Sequence, residues 1–326
     1  MKLTYDISTL MPYINWVYFF HAWQLKDEGE KQRIRREAEA FLASVQDRYR
    51  AYALFLIADA YSEDDDIVVW RNEVFPRCEV RGTRCEDSSR IEEREWSKEE
   101  GGRRIPCLRQ QAVGSEYLCL ADFIAPRTPN YPRTSYLVPR TSENPRTSEN
   151  PRTSENPRTS ENPPSSQIGL FATSVDAGME TDFDHDPYQK MMAQLLADRL
   201  AEAAAERMHE EVRKHYWGYA KDEHLSISEM HQERFQGIRP AVGYPSLPDT
   251  SINFVLDSVL DMRQIGIRLT EHGAMRPHAS VSGLMLAHPQ ARYFSVGKIG
   301  NDQLEDYARR RQMPVETMRK FLSANL

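Results

Sequence analysis

The sequence predicts an α+β fold, and three observations carry that prediction. A helix of unusual strength begins at Asp186-Pro187, apolar runs of strand length recur at "YALFLIADA", "DIVVW" and "IGLFATSV", and no regular strand-helix alternation links them. Regular alternation would build a doubly wound parallel sheet; irregular mixing favours antiparallel strands with helices segregated beside them. With 326 residues, 40% of them hydrophobic, the chain can bury a sizeable core.

From Asp6 to Trp23 the chain reads as an aromatic and apolar helix, and from Asp27 to Arg50 as a charged one. "YALFLIADA" and "DIVVW" follow as strands, then a segment from Cys85 to Arg104 dense enough in charge to be a solvated loop or hairpin insertion. "RIPCLRQQ" and "YLCLADFIA" resume apolar runs of strand length before "IGLFATSV". The segment between the last two cannot build a core. It holds four perfect PRTSEN copies from Pro139 to Asn162, preceded by "PRTPNY" and "PRTSYLV", with proline every sixth residue and polar side chains between. We read residues 1–326 as one domain interrupted by this loop at 126–166.

Asp186 is an N-cap, Pro187 suits the first helical position and Gln189 completes a capping-box variant. The helix should run to Trp217 with an apolar stripe of Tyr188, Met192, Leu195, Leu196, Leu200, Ala203 and Ala204. Glu202 falls at the border of that stripe, where a carboxylate is either a solvated flank residue or a positioned ligand. "FVLDSVLDM" reads as helix, "SVSGLMLAHPQARYFSVGKI" as a β-hairpin turning at His288 to Ala291, and "NDQLEDYARRRQ" and "PVETMRKFLSA" as two closing helices.

A net charge of −7 argues against nucleic acid or an anionic membrane surface as the main partner. The apolar "MPYINWVYFFHAW" is too short, and too interrupted by Asn15 and His21, for a signal peptide or a membrane span. Cys78, Cys85, Cys107 and Cys119 follow no zinc or redox spacing, so they read as reduced thiols in a cytoplasmic protein. "HEEVR" begins like a zinc-protease helix, but the next histidine, His215, is six residues on and faces elsewhere. "DFDHD" is better explained by helix capping than by cation binding, His272, His278 and His288 read as structural, and no P-loop, GxGxxG or nucleophile elbow occurs. We expect no metal site and no catalytic residue.

A set suited to a small zwitterion remains. "GIRPAVGYP", Gly237 to Pro245, cannot continue a helix and carries Arg239, which can hold a carboxylate bidentately, while Gly243 permits close backbone approach and Tyr244 adds a ring with a polar tip. Glu202 suits an ammonium or sulfonium, and one of the adjacent Tyr293 and Phe294 suits a purine.

The segments "CLADFIAP", "ADRLAEAAAERMHEEVRKHYWGYA", "FQGIRPAVGYP", "HASVSG", "HPQARYFSV" and "DQLEDYARRR" closely resemble the C-terminal activation domain of cobalamin-dependent methionine synthase, and "YINWVYFFHAW" and "LRQQ" resemble its N-terminal half. The resemblance covers roughly residues 7 to 125 and 167 to 326. It implies a C-shaped α+β domain with a bent antiparallel sheet flanked by helices, binding S-adenosylmethionine. By the same resemblance the RxxxGY motif places Arg239, Ala241, Gly243 and Tyr244 on the ligand, joined by Glu202, Tyr293 and Phe294. Asn15 stands where the family pattern has aspartate, so it offers a hydrogen bond without a charge.

The implied activity is reductive methylation of oxidised cobalamin, with S-adenosylmethionine giving the methyl group and flavodoxin or a similar donor the electron. Because the chain has no DxHxxG cobalamin motif and begins almost at the first helix of the domain, the expectation is a methyltransferase component, inactive alone, acting in trans on cobalamin-binding methionine synthase modules. Two other functions compete: a docking or capping module for a corrinoid protein with weak S-adenosylmethionine binding, and a methyltransferase for a different substrate.

Overall fold

The computed structural model describes residues 1–70, 84–86, 102–126 and 167–326. The PRTSEN array, Cys78 and most of the charged 85–104 segment lie outside the described residues. The chain runs β1 (Lys2–Asp6), α1 (Ile7–Leu10), α2 (Trp16–Ala22), α3 (Glu28–Val45), β2 (Arg50–Glu63), β3 (Asp66–Trp70), β4 (Arg84–Glu86), β5 (Arg103–Pro106) and β6 (Gln167–Val175). It continues through α4 (Gly178–Thr181), α5 (Pro187–Glu211), α6 (Ile227–His231), α7 (Ile252–Leu260), β7 (Arg268–Leu269), β8 (Met275–Arg276), β9 (Ser280–Met285), α8 (Asn301–Arg310) and α9 (Val315–Phe321). Among the described residues no helix is long and apolar enough to cross a membrane.

The α+β expectation holds: a curled antiparallel sheet is flanked by helices. Its spine is the 14-residue β2, whose first half pairs with β1 and whose last half pairs with β3, while β6 pairs along β2 from Asp59 back to Ala51. β9 adds to the other edge of β6 with Phe171 opposite Gly283. Alternation along β2 separates two cores. Ala51, Ala53, Phe55 and Ile57 pack with α1, α3 and α5, whereas Leu54, Ala58 and Ala60 pack with α7 and the turn at Leu120. The C-terminal helices close a third cluster around Leu304, Tyr307 and Met318.

Several sequence expectations need correction. The single helix from Asp6 to Trp23 is two short helices, because Pro12 lies in a 3-10 turn and Asn15 starts α2 anew by accepting a hydrogen bond from Val17 N at 3.2 Å. The helix begun at Asp27 stops at Val45, leaving Arg50 to open β2. "YLCLADFIA" forms no strand but a 3-10 turn at Leu120–Phe123, with Asp122 accepting from Cys119 N at 2.9 Å. Arg109 ties this turn down through Asp122 and Asp65, at 2.8 and 2.6 Å.

The expected hairpin over 280–299 is half present. β9 forms, but the edge where the return strand would pair is taken by residues 238–242: Ile238 pairs with Leu286 and Ala241 with Gly283. The segment after Pro289 instead bonds to the loop at Pro245 and to a C-terminal 3-10 turn, Val296 N donating to Pro245 O and Ile299 N to Asn325 O.

The strongest helical expectation holds. Asp186 caps α5 by accepting from Tyr188 N and Gln189 N, and a π-helical turn at Val212–Tyr216 carries the helix to Trp217. Met192, Leu196, Leu200, Ala203 and Ala204 are buried, but Tyr188 projects from the stripe and its hydroxyl donates to Glu37.

Candidate functional site

Helical spacing puts Glu202 and Glu206 one turn apart on α5, on the side turned toward the loop after Gly237. That loop lies against β9 so tightly that a Cβ on Gly283 would stand 2.2 Å from Pro240 O and 2.9 Å from Ala241 Cα. The close approach expected of Gly243 is therefore made at Gly283. A Cβ on Gly243 would make only an ordinary contact, with Thr250 Cγ2 at 3.6 Å, and Gly243 serves by its left-handed φ of +87° in the turn whose N–H reaches Leu247 O.

Between α5, the start of α2 and this loop is a cavity of about 510 Å³, within the usual range of small-ligand sites. Asn15, Glu202, Arg239, Ala241, Tyr244, Tyr293 and Phe294 all line it; Gly243 does not. Of the residues expected from sequence, seven thus surround one space and the eighth shapes its wall.

Each is held by a definite contact. Tyr244 Oη donates to Glu202 Oε1 at 2.7 Å, and Arg239 Nη2 donates to Glu206 Oε2 at 3.1 Å. The Arg239 guanidinium also sits 5.5 Å from the centre of the Phe171 ring, and its backbone N–H donates to Tyr293 Oη at 2.9 Å. Tyr293 and Phe294 do not lie on a strand, so strict alternation does not separate them, and both reach the cavity. Phe294 is fixed by a reciprocal pair of bonds with the Ser246 hydroxyl. Asn15 faces the cavity while its Oδ1 caps α2.

The electrostatics follow from burial. Burial works against the charge of Arg239, but Glu206, Tyr293 and Glu202 outweigh it and raise its pKa. Burial first, then Glu202, pushes the Tyr244 phenol well up, and burial pushes Tyr293 up to about 12 despite Arg239. Neither phenol ionises at neutral pH to act as a base; Tyr244 donates to Glu202, and Tyr293 is held by accepting from the Arg239 backbone N–H. Glu233, also on the wall, is pushed up by burial and by Glu206, with Arg239 opposing.

Behind the wall, His209 is fully buried against Phe235, the rings 5.0 Å apart. Arg213 Nη1 donates to His209 Nδ1 at 2.9 Å, which puts the ring proton on Nε2, and Arg213 itself is paired to Glu223 at 2.6 Å. Burial, then Arg213 and Arg239, lowers the His209 pKa well below an ordinary imidazole.

Sequence reasoning missed Glu206, Tyr13, His231, Glu233 and Ser246, all on the cavity wall. The i, i+4 spacing from Glu202 pointed to Glu206 alone. The others arrive from the 3-10 turn at Tyr13, the end of α6 with Glu233 just beyond it, and the loop at Ser246, which no local pattern links.

Fold and site together define an α+β domain with a cavity of ligand size that pairs a buried guanidinium with carboxylates and aromatic rings. Residues 6–312 match the family model described as the vitamin B12 dependent methionine synthase activation domain, and the chain belongs to that family. It is also similar to a solved structure described as the MetH reactivation domain bound to AdoHcy, with 32% identity, a TM-score of 0.75, and coverage of 100% of this chain and 90% of that one.

Proposed function

We propose that the chain, acting as one domain in the cytoplasm, binds S-adenosylmethionine in the 510 Å³ cavity and presents its methyl group to a cobalamin carried by a separate methionine synthase module. The observation that carries the reading is the buried Arg239, set beside Glu206 and facing Glu202 and Tyr244 in a space of ligand size. An arginine fork suits the methionyl carboxylate, Glu202 suits the cationic side of the ligand, and the rings of Tyr293 and Phe294 offer faces for the adenine. The AdoHcy in the similar solved structure, the demethylated product of the same ligand, supports this assignment.

Bound there, S-adenosylmethionine supplies the sulfonium methyl that, with an electron from flavodoxin or a similar donor, returns oxidised cobalamin to its methylated form. The chain's own residues bind and orient. Arg239 fixes one end of the ligand, the 239–244 loop is locked onto β9 at Gly283, and the Tyr244–Glu202 bond holds the ring at the cavity mouth, where Tyr244 is 52% exposed. With no general acid or base required, the protein contributes position and charge.

A capping role on a corrinoid protein is the second reading. It is favoured by Asn15, whose uncharged side chain is already engaged in capping α2, and by Val17 and Tyr18 exposed beside the cavity. The deciding experiment adds this chain, S-adenosylmethionine and a reductant to an oxidised methionine synthase lacking its own activation domain. Recovery of activity is expected; no recovery overturns the methylation reading and leaves the cap.

A further inference from the structure

Glu206 and Arg239 both line the cavity, and one buried polar atom of each, Glu206 Oε1 and Arg239 Nε, makes no hydrogen bond of good geometry. They belong to the same ion pair, whose other atoms, Glu206 Oε2 and Arg239 Nη2, meet at 3.1 Å. The side chains are 13% and 10% exposed, so solvent does little for either. Leaving a buried charged group short of a partner is costly, and a ligand that brings the missing partner recovers that cost.

What is missing is specific. Arg239 Nε is a donor and needs an acceptor; Glu206 Oε1 is an acceptor and needs a donor. Both needs lie on one ion pair and are met by a ligand group that carries an anion and a cation on neighbouring atoms. An α-amino acid is such a group, its carboxylate for the guanidinium and its ammonium for the glutamate. A ribose diol also donates and accepts, but it is neutral, and charged partners make the stronger hydrogen bonds to charged groups.

The other acceptors expected to take the ammonium already hold a protein donor: Glu202 Oε1 accepts from Tyr244 Oη, which leaves Oε2 toward the sulfonium side, and Asn15 Oδ1 accepts from Val17 N. We propose that Glu206 is the residue of this chain that binds the α-ammonium of the ligand, so that Glu206 and Arg239 together form a clamp for the amino-acid end and Asn15 is relieved of that task. The proposal rests on the S-adenosylmethionine reading above and adds a residue that neither the family pattern nor the sequence motifs assigned.

The clamp makes an unusual prediction of sign. Glu206 attracts an ammonium but competes with a carboxylate for Arg239. Replacing it with glutamine should therefore weaken a zwitterionic ligand and leave unchanged, or tighten, a ligand that keeps the carboxylate and lacks the amine.

Titration calorimetry of the full chain and Glu206→Gln with S-adenosylhomocysteine and with its desamino analogue, the 5′-thioadenosine carrying a carboxypropyl group on sulfur, tests this. For the variant we expect S-adenosylhomocysteine to bind about 10- to 100-fold more weakly, the range of one charge-assisted hydrogen bond. The desamino analogue should bind as in the parent chain or better, which also shows that the variant is folded. Equal weakening of both ligands would mean that Glu206 only holds Arg239, and unchanged S-adenosylhomocysteine binding would mean that it touches no ammonium; either overturns the proposal. If the parent chain binds neither adenosyl ligand, the underlying reading fails, and the clamp with it.

Discussion

Arg239 and Glu202 meet different partners on one cavity wall: the arginine bonds to Glu206, the glutamate to Tyr244, and the two acids stand one turn apart on α5. A single helix face thus grips both ends of the 239–244 loop. The loop's other side is pressed on β9 at Gly283. Its geometry is consequently fixed before any ligand arrives, which lowers the ordering cost of binding.

That locking separates two glycines. Gly243→Ala meets only an ordinary contact with Thr250 and pays only for its left-handed backbone, about 1–2 kcal/mol. Gly283→Ala drives a methyl into Pro240 O and Ala241 Cα, so the loop itself must shift. Chemical denaturation should show the larger stability loss for Gly283→Ala, and only that variant should also lose most of its ligand affinity.

Asn15 should tolerate a charge. Aspartate caps a helix as well as asparagine and is favoured by the helix dipole, so Asn15→Asp should keep the melting temperature within a few degrees. Because the side chain also faces the cavity, the added carboxylate should tighten S-adenosylmethionine binding severalfold in calorimetry. Asn15→Ala should cost about 0.5–2 kcal/mol through the lost cap.

Arg109 should matter to stability and not to binding. Its partner Asp122 is only 4% exposed, and removal of one member of a buried pair typically costs about 3–5 kcal/mol. Arg109→Ala should lower the unfolding free energy by that order in denaturant titration, while ligand affinity, measured well below the melting temperature, stays put.

His209 predicts a pH dependence. Its folded pKa lies well below the unfolded value near 6.5, so below about pH 6.5 the unfolded chain binds the extra proton first. The stability linked to neutral His209 is fully present above that pH and is lost as pH falls toward the folded pKa. Thermal melts from about pH 7.5 to 5 should fall more steeply for the parent chain than for His209→Gln, which cannot take up the proton.

The α+β class and α5 were legible because their signals are local: Asp186-Pro187 fixes a helix start, and strand-length apolar runs mark β2, β3 and β6. Of the seven cavity residues, Glu202, Arg239, Tyr244, Tyr293 and Phe294 were legible as side chains suited to a small zwitterion, whereas Asn15 and Ala241 were reached only through the resemblance, because nothing in local spacing links them to the rest. The failures have tertiary causes. The return strand after His288 was unreadable because residues 238–242 occupy the β9 edge, a pairing between segments some 45 residues apart. "YLCLADFIA" has strand composition but is folded back by Asp122 and Arg109. Glu206 hid in plain helical spacing because its partner, Arg239, was assigned wholly to the ligand.

The central claim is that Arg239 anchors S-adenosylmethionine in this cavity, and calorimetric titration of that ligand into the parent chain and Arg239→Lys tests it most directly. Lysine keeps the charge beside Glu206 but loses the fork, so saturable binding to the parent chain and about 10- to 100-fold weaker binding to the variant is the expected result. Absence of binding to the parent chain at millimolar ligand, or equal affinity for both proteins, would contradict it.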